Sequence, residues 1–180
     1  MKKKIHTVYK LKDGTKVPGV TTIVNQMGKE ALIHWAWECG KAGIDYRKES
    51  QDKADIGTLV HDMILCYLKK EKPDASNYTA NQIDLAENCL LSYFEWEKHH
   101  KIEPILLEKP MVSELYVYNY GGTPDFYGFI DDIPTLMDFK TGKAIYPEMI
   151  YQLAAYDCII RDTHKEYPKA WKILRIGRDE

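Results

Sequence analysis

No run of this chain approaches the ~18 consecutive apolar residues that a membrane-spanning helix needs. The opening Met1-Lys-Lys-Lys-Ile-His6 carries basic residues but no apolar stretch behind them. No secretory signal is therefore expected, and the expectation is a cytoplasmic protein, bacterial or from a phage-infected host cell. The four cysteines, Cys39, Cys66, Cys89 and Cys158, form no C-x-x-C pair, so zinc ribbons and iron–sulfur clusters lack a local signature. They are expected to be reduced, mostly buried thiols. Charge of one sign is missing too: 25 Lys and Arg stand against 27 Asp and Glu, a formal charge of −2. A uniformly basic coat is excluded, although a local groove can still hold nucleic acid. Repeats, low-complexity tracts and dividing linkers are absent. One domain over residues 1–180 is expected, long enough to bury roughly two-thirds of its unfolded surface.

The order of elements predicts an α/β fold, with residues 1–103 mainly helical and 104–180 a sheet and helix. Asp13-Gly14 marks a hairpin between two short strands within Thr7–Pro18. Val20–Val24 leads into a helical region that Thr21 or Thr22 would cap. Leu32, Trp35, Ala36 and Cys39 recur at helical spacing, whereas Lys41–Lys53 is polar and reads as a loop or a loosely packed helix. Helices are predicted over Ala54–Lys70 and Ala80–His100. Strands follow from Ile105 and over Val112–Tyr118, with Gly121-Gly122 as a hairpin turn between them and the next strand. Asp131–Pro134 is a second turn and Thr135–Lys140 a strand. Pro147 opens a helix to about Arg161, and Trp171–Ile176 is the last strand.

With Asp131–Pro134 as the loop, Asp125 falls opposite Lys140 and Tyr127 opposite Asp138. Opposed residues share a face, and so do residues two apart. Asp125, Asp138 and Lys140 therefore share one side, with Met137 and Phe139 on the other. Clustered charges on a half-buried face are costly unless paired or metal-bound. One reading is a solvated sheet edge with a cross-strand Asp–Lys pair. The other is a magnesium site, in which two carboxylates give hard oxygen ligands and Lys140 serves phosphoryl transfer.

Gly122-Thr-Pro-Asp125 followed by Asp138-Phe-Lys140-Thr-Gly resembles the signature of the PD-(D/E)xK nuclease superfamily, in particular its RecB-like exonuclease branch. Gly57-Thr-Leu-Val-His61 resembles the branch's helical histidine motif, and Gln152-Leu-Ala-Ala-Tyr156 its Gln-x-x-x-Tyr motif. Val17–Val24, Leu32–Ala36 and Ala54–His61 are similar to the N-terminal half of phage-type and mitochondrial genome-maintenance exonucleases, so the likeness covers nearly the whole chain. It implies a restriction-endonuclease-like mixed central sheet flanked by helices, with a helical N-terminal elaboration.

The resemblance implies Mg2+, replaceable by Mn2+, held by His61, Asp125, Asp138 and the Phe139 backbone carbonyl. Glu108 would be a further ligand, a role for which Glu114 competes. Lys140 would be the catalytic cation. Gln152 and Tyr156, one turn apart on a helical face, would hold the lysine or a DNA phosphate. Trp35, Trp37 and Tyr46 read either as stacking platforms for bases or, as helix-spaced aromatics more often are, as core; Lys143 would contact phosphate, and the N-terminal lysines Lys2, Lys3, Lys4, Lys10, Lys12 and Lys16 read either as phosphate contacts or as solvated charge. His6, His34, His99 and His100 have no site spacing. Only Cys158 follows Lys140, so no iron–sulfur cluster is expected. The expected activity is a DNA exonuclease on single strands or duplex ends, in recombination, repair or replication. A single-strand-binding, recombinase or helicase partner would act in trans. The alternatives are a structure-selective endonuclease and a catalytically silent DNA-binding module.

Overall fold

The computed structural model describes residues 7–27, 30–114, 118–164 and 167–177. The chain runs β1 (Tyr9–Lys10), β2 (Lys16–Val17), α1 (Val20–Val24), α2 (Glu30–Lys41), α3 (Tyr46–Lys69), α4 (Ala80–Glu97), β3 (Ile102–Leu107), β4 (Met111–Ser113), β5 (Tyr120–Gly122), β6 (Phe126–Ile130), β7 (Ile133–Lys140), α5 (Pro147–Thr163) and β8 (Ala170–Arg175). The architecture is mixed α/β. A four-stranded sheet in the order β3-β6-β7-β8 is antiparallel except for the β7–β8 pair, which is parallel.

Both faces of that sheet are covered. Phe126, Ile130, Met137 and Phe139 pack with Ile56, Leu59, Val60 and Ile64 of α3 and with Ala86, Cys89 and Tyr93 of α4. Tyr127 and Leu136, one residue out of phase along each strand, pack with Leu153, Tyr156, Ile159 and Ile160 of α5 on the other side. The central strands are therefore apolar almost throughout. Among the described residues no helix is long and apolar enough to cross a membrane. Cys39, Cys66 and Cys89 are buried, Cys158 is half-buried, and none of the four is in a disulfide.

Capping chemistry sets the helix ends. Asp45 accepts from the Arg47 N–H to start α3, and Lys70 ends it in the left-handed conformation at φ 60°. Thr79 and Gln82 form a reciprocal capping box on α4. Gln82 also donates to Asp52 of α3 at 2.6 Å, tying the two helices together.

Several sequence expectations are corrected. Of the two alternatives for the polar stretch, Tyr46–Lys53 takes the helical one, so α3 starts at Tyr46 rather than Ala54. Thr21 and Thr22 lie inside α1, and Gly19 occupies its N-cap. The third strand begins at Ile102, and Pro104 sits within it, next to an irregularity in its pairing with β6. An edge strand tolerates the missing N–H. Gly121-Gly122 is paired strand rather than turn, facing Val112 and Met111. The strand from Val112 ends at Ser113, and residues 115–117 of the expected strand lie outside the described residues, as do Lys2, Lys3, Lys4 and His6. The β6–β7 turn is two residues, Asp131 and Asp132, at φ 52° and 63°. Positive φ at both positions is the backbone of a tight hairpin turn. Phe126 therefore opposes Met137 and Tyr127 opposes Leu136, two residues away from the expected register. A two-residue shift preserves the face of every side chain, so Asp125, Asp138 and Lys140 keep a common side.

Candidate metal and catalytic centre

The candidate site lies at one end of the sheet, where β3 and β7 leave and β6 begins. At that end α3 crosses close to the strand tips. Gly57 permits this: a Cβ there would lie 3.1 Å from Thr141 Oγ1, just beyond β7. One helical turn later, on the same face, is His61. Its ring meets Phe139 edge-on at 6.0 Å.

His61 Nδ1 lies 3.3 Å from Asp125 Oδ1. The other Asp125 oxygen accepts the Phe139 backbone N–H at 2.8 Å. Glu108 follows β3, and its N–H donates to the Asp125 carbonyl at 3.1 Å. Its backbone is left-handed, φ 44°, a conformation that costs a non-glycine residue roughly 1–2 kcal/mol. Ligand atoms of His61, Glu108 and Asp125 all lie within 4.8 Å of one another. One nitrogen and two carboxylate oxygens at that spacing can share a divalent cation.

Asp138 is buried beside this trio, its Oδ2 ion-paired with Lys140 Nζ from two residues along β7. That oxygen has the ion pair but no aligned hydrogen bond, so it retains acceptor capacity toward a cation or a proton.

Burial and mutual repulsion divide the acids. Burial would lift Asp125, but His61, Lys140 and the Phe139 N–H together hold its carboxyl below the ordinary value. Burial and the Asp125 charge push Asp138 upward against the opposing pull of Lys140. Glu108 is raised by burial and by Asp125. Burial alone would depress His61. The Asp125 carboxylate, by charge and hydrogen bond, overrides it and with Asp138 lifts the imidazole to about 9. Without metal, the imidazolium thus supplies positive charge among the carboxylates. The donor set fits a divalent cation that replaces that proton.

On α5, Gln152 Nε2 donates to the Tyr156 hydroxyl at 2.8 Å. Tyr156 is buried, and its hydroxyl is raised by burial and, less strongly, by Asp125 and Asp138. Its own proton remains free to donate toward an anion. Lys143 is exposed in the loop after Lys140. The half-buried Trp35 lies under Lys53 Nζ at 4.9 Å, and the exposed Trp37 under Lys41 Nζ at 4.2 Å. Glu114 is exposed and reaches Lys12 at 3.7 Å. The strand pairing of Gly121-Gly122 removes the hairpin count that placed Glu114 on the Asp125 face. His100 pairs with Asp131 at 2.6 Å at the opposite end of β6.

Sequence reasoning missed Thr123, which accepts or donates a 2.8 Å hydrogen bond with Tyr9. Only its place two residues before Asp125 hinted at a role. None of the known family models matches the chain, and no curated protein matches it significantly.

Proposed function

We propose that this chain is a divalent-metal-dependent DNA nuclease, an exonuclease acting on single strands or duplex ends, with Mg2+ as its metal. The observation that carries the reading is the meeting of His61, Glu108 and Asp125 within 4.8 Å, beside the buried Asp138–Lys140 pair. The motif resemblance independently names these residues. A helix, three antiparallel strands, a helix and a parallel strand, α4-β3-β6-β7-α5-β8, support a restriction-endonuclease-like core.

In this reading His61, Glu108 and Asp125 hold the cation, with Asp138 completing the acidic wall. When bound, the cation supplies Lewis acidity to a phosphoryl oxygen and acidifies water. Lys140 orients the attacking water by donating to it, and its charge offsets the negative charge that develops on the phosphate. Asp138 keeps the Lys140 ammonium in place. Tyr156, braced by Gln152, donates its free proton to a phosphate oxygen. Water is the nucleophile, so no covalent enzyme intermediate forms.

The test is cleavage of labelled single-stranded and duplex DNA in Mg2+, against EDTA and against Lys140→Ala. Metal-dependent shortening from ends, lost in the variant by about a hundredfold or more, is the expected result. DNA binding without cleavage in Mg2+ and Mn2+ would overturn it in favour of a silent binding module. Cutting of circular single strands would make the enzyme an endonuclease.

A further inference from the structure

Tyr9 sits on β1, 114 residues before Thr123 in the chain, yet the two hydroxyls are 2.8 Å apart. Consecutive glycines make the approach possible. A Cβ on Gly121 would lie 2.1 Å from Tyr9 Cγ, and one on Gly122 would lie 2.6 Å from Tyr156 Cε1. Successive strand residues face opposite ways, so one tyrosine ring closes on each side of β5. The Gly121 N–H also donates to the Pro18 carbonyl at 2.9 Å, joining the N-terminal hairpin segment to β5 through the backbone.

The two hydroxyls add something that ring packing does not. Thr123 begins a stiff run: Pro124 is buried, its own φ is fixed, and it confines the residue before it to extended backbone. The next residue is Asp125, whose two oxygens meet His61 and the Phe139 N–H. Restraining the Thr123 side chain therefore restrains the direction from which Asp125 enters the site.

We propose that the Tyr9–Thr123 hydroxyl pair is a positioning latch for Asp125, through which the N-terminal hairpin sets the metal affinity of the His61–Glu108–Asp125 site. The inference rests on that trio being a cation site, and it does not depend on the reaction performed there. A purely structural clip would lower stability without changing the affinity of the folded protein. A latch changes affinity while the rings keep the fold.

Mn2+ binding to the full chain, read from the electron paramagnetic resonance of the free ion, separates these cases. Tyr9→Phe and Thr123→Val each weaken binding about tenfold, the usual scale for a group that orients a ligand, with melting temperature nearly unchanged. The double variant is no weaker than either single, because both remove one bond. Thr123→Ser, which keeps the hydroxyl, binds as the wild type does. Single variants within about twofold of wild type, or losses that add, overturn the latch. Loss of the fold in both singles assigns the pair to stability and overturns it as well. A wild-type chain that takes up no Mn2+ refutes the cation site itself, a different failure from a wild type that binds and variants that match it.

Discussion

If the trio is the cation site proposed above, metal uptake requires the loss of a proton from His61, and that exchange has a calculable size. The imidazole is held at about 9 because burial, which opposes its charge, is outweighed by Asp125 and Asp138. At neutral pH about one molecule in a hundred presents the neutral ring that a cation needs, a penalty of about 2.7 kcal/mol on binding. Apparent affinity should therefore rise about tenfold per pH unit, or about a hundredfold from about pH 6 to about pH 8. Glu108 and Asp138, both raised, steepen the acid end of that rise. Mn2+ titrations across this range, with proton release measured in buffers of different ionisation enthalpy, test the exchange. About one proton should leave per ion bound near neutral pH, and His61→Ala should flatten the slope. Affinity independent of pH, with no proton released, would refute the reasoning. Folding of the metal-free chain has the complementary dependence. The stabilisation from His61 is complete below the imidazole's unfolded value and is lost as pH rises toward 9. The melting temperature in EDTA should accordingly fall on the alkaline side.

Glu108 holds a left-handed backbone, so Glu108→Gly should unfold in urea with about 1 kcal/mol more stability than Glu108→Ala, while both lose Mn2+ affinity. Equal stabilities would mean that the backbone at this position carries no strain. At Gly128, an added Cβ would lie 2.3 Å from the Glu103 carbonyl and 2.9 Å from Pro104 Cα. Both are backbone atoms of the paired strand, so Gly128→Ala should lose about 3 kcal/mol by urea unfolding. At Gly57 the neighbour is the movable Thr141 hydroxyl at 3.1 Å. Gly57→Ala should stay within about 1 kcal/mol of wild type, since the gain in helix propensity offsets the crowding. Gly57→Val should displace α3 and weaken Mn2+ binding, measured as for the other variants.

Much of the architecture was legible because periodicity is a local property. The apolar stripe Ile56, Leu59, Val60, Met63 and Ile64 located the buried face of α3, and Pro147 its place at the start of α5. The shared face of Asp125, Asp138 and Lys140 survived an incorrect register because only the parity of the turn matters. Gly121-Gly122 was misread for a physical reason. A glycine pair signals a turn when judged by backbone freedom, but here the missing side chains make room for Tyr9 and Tyr156. Those rings arrive from opposite ends of the chain, and no window of sequence contains them. Glu114 competed with Glu108 for the same reason, since its face was counted from the supposed turn; the structure brings Glu108 to Asp125 and leaves Glu114 against Lys12. The left-handed backbone that follows β3 is likewise invisible in Leu107-Glu108-Lys109.

The distribution of charge argues that the cluster is built for a ligand rather than for stability. A structural ion-pair network matches each acid with its own base. Here three carboxylates, Glu108, Asp125 and Asp138, share one end of the sheet with Lys140 and His61, and the environment drives them apart: Asp125 falls while Glu108 and Asp138 rise. The pull of His61 and Lys69 on Glu108 offsets less than burial, Asp125 and Asp62 impose on it. The same residue also bears the left-handed backbone. Strain and repulsion therefore coincide at Glu108, and both would be relieved by its replacement. A residue that destabilises the metal-free fold in two independent ways gains its purpose from what neutralises it. In the proposed reading a divalent cation among His61, Glu108 and Asp125 would do so at once, replacing the imidazolium proton with twice the charge while leaving Lys140 to Asp138 and the substrate.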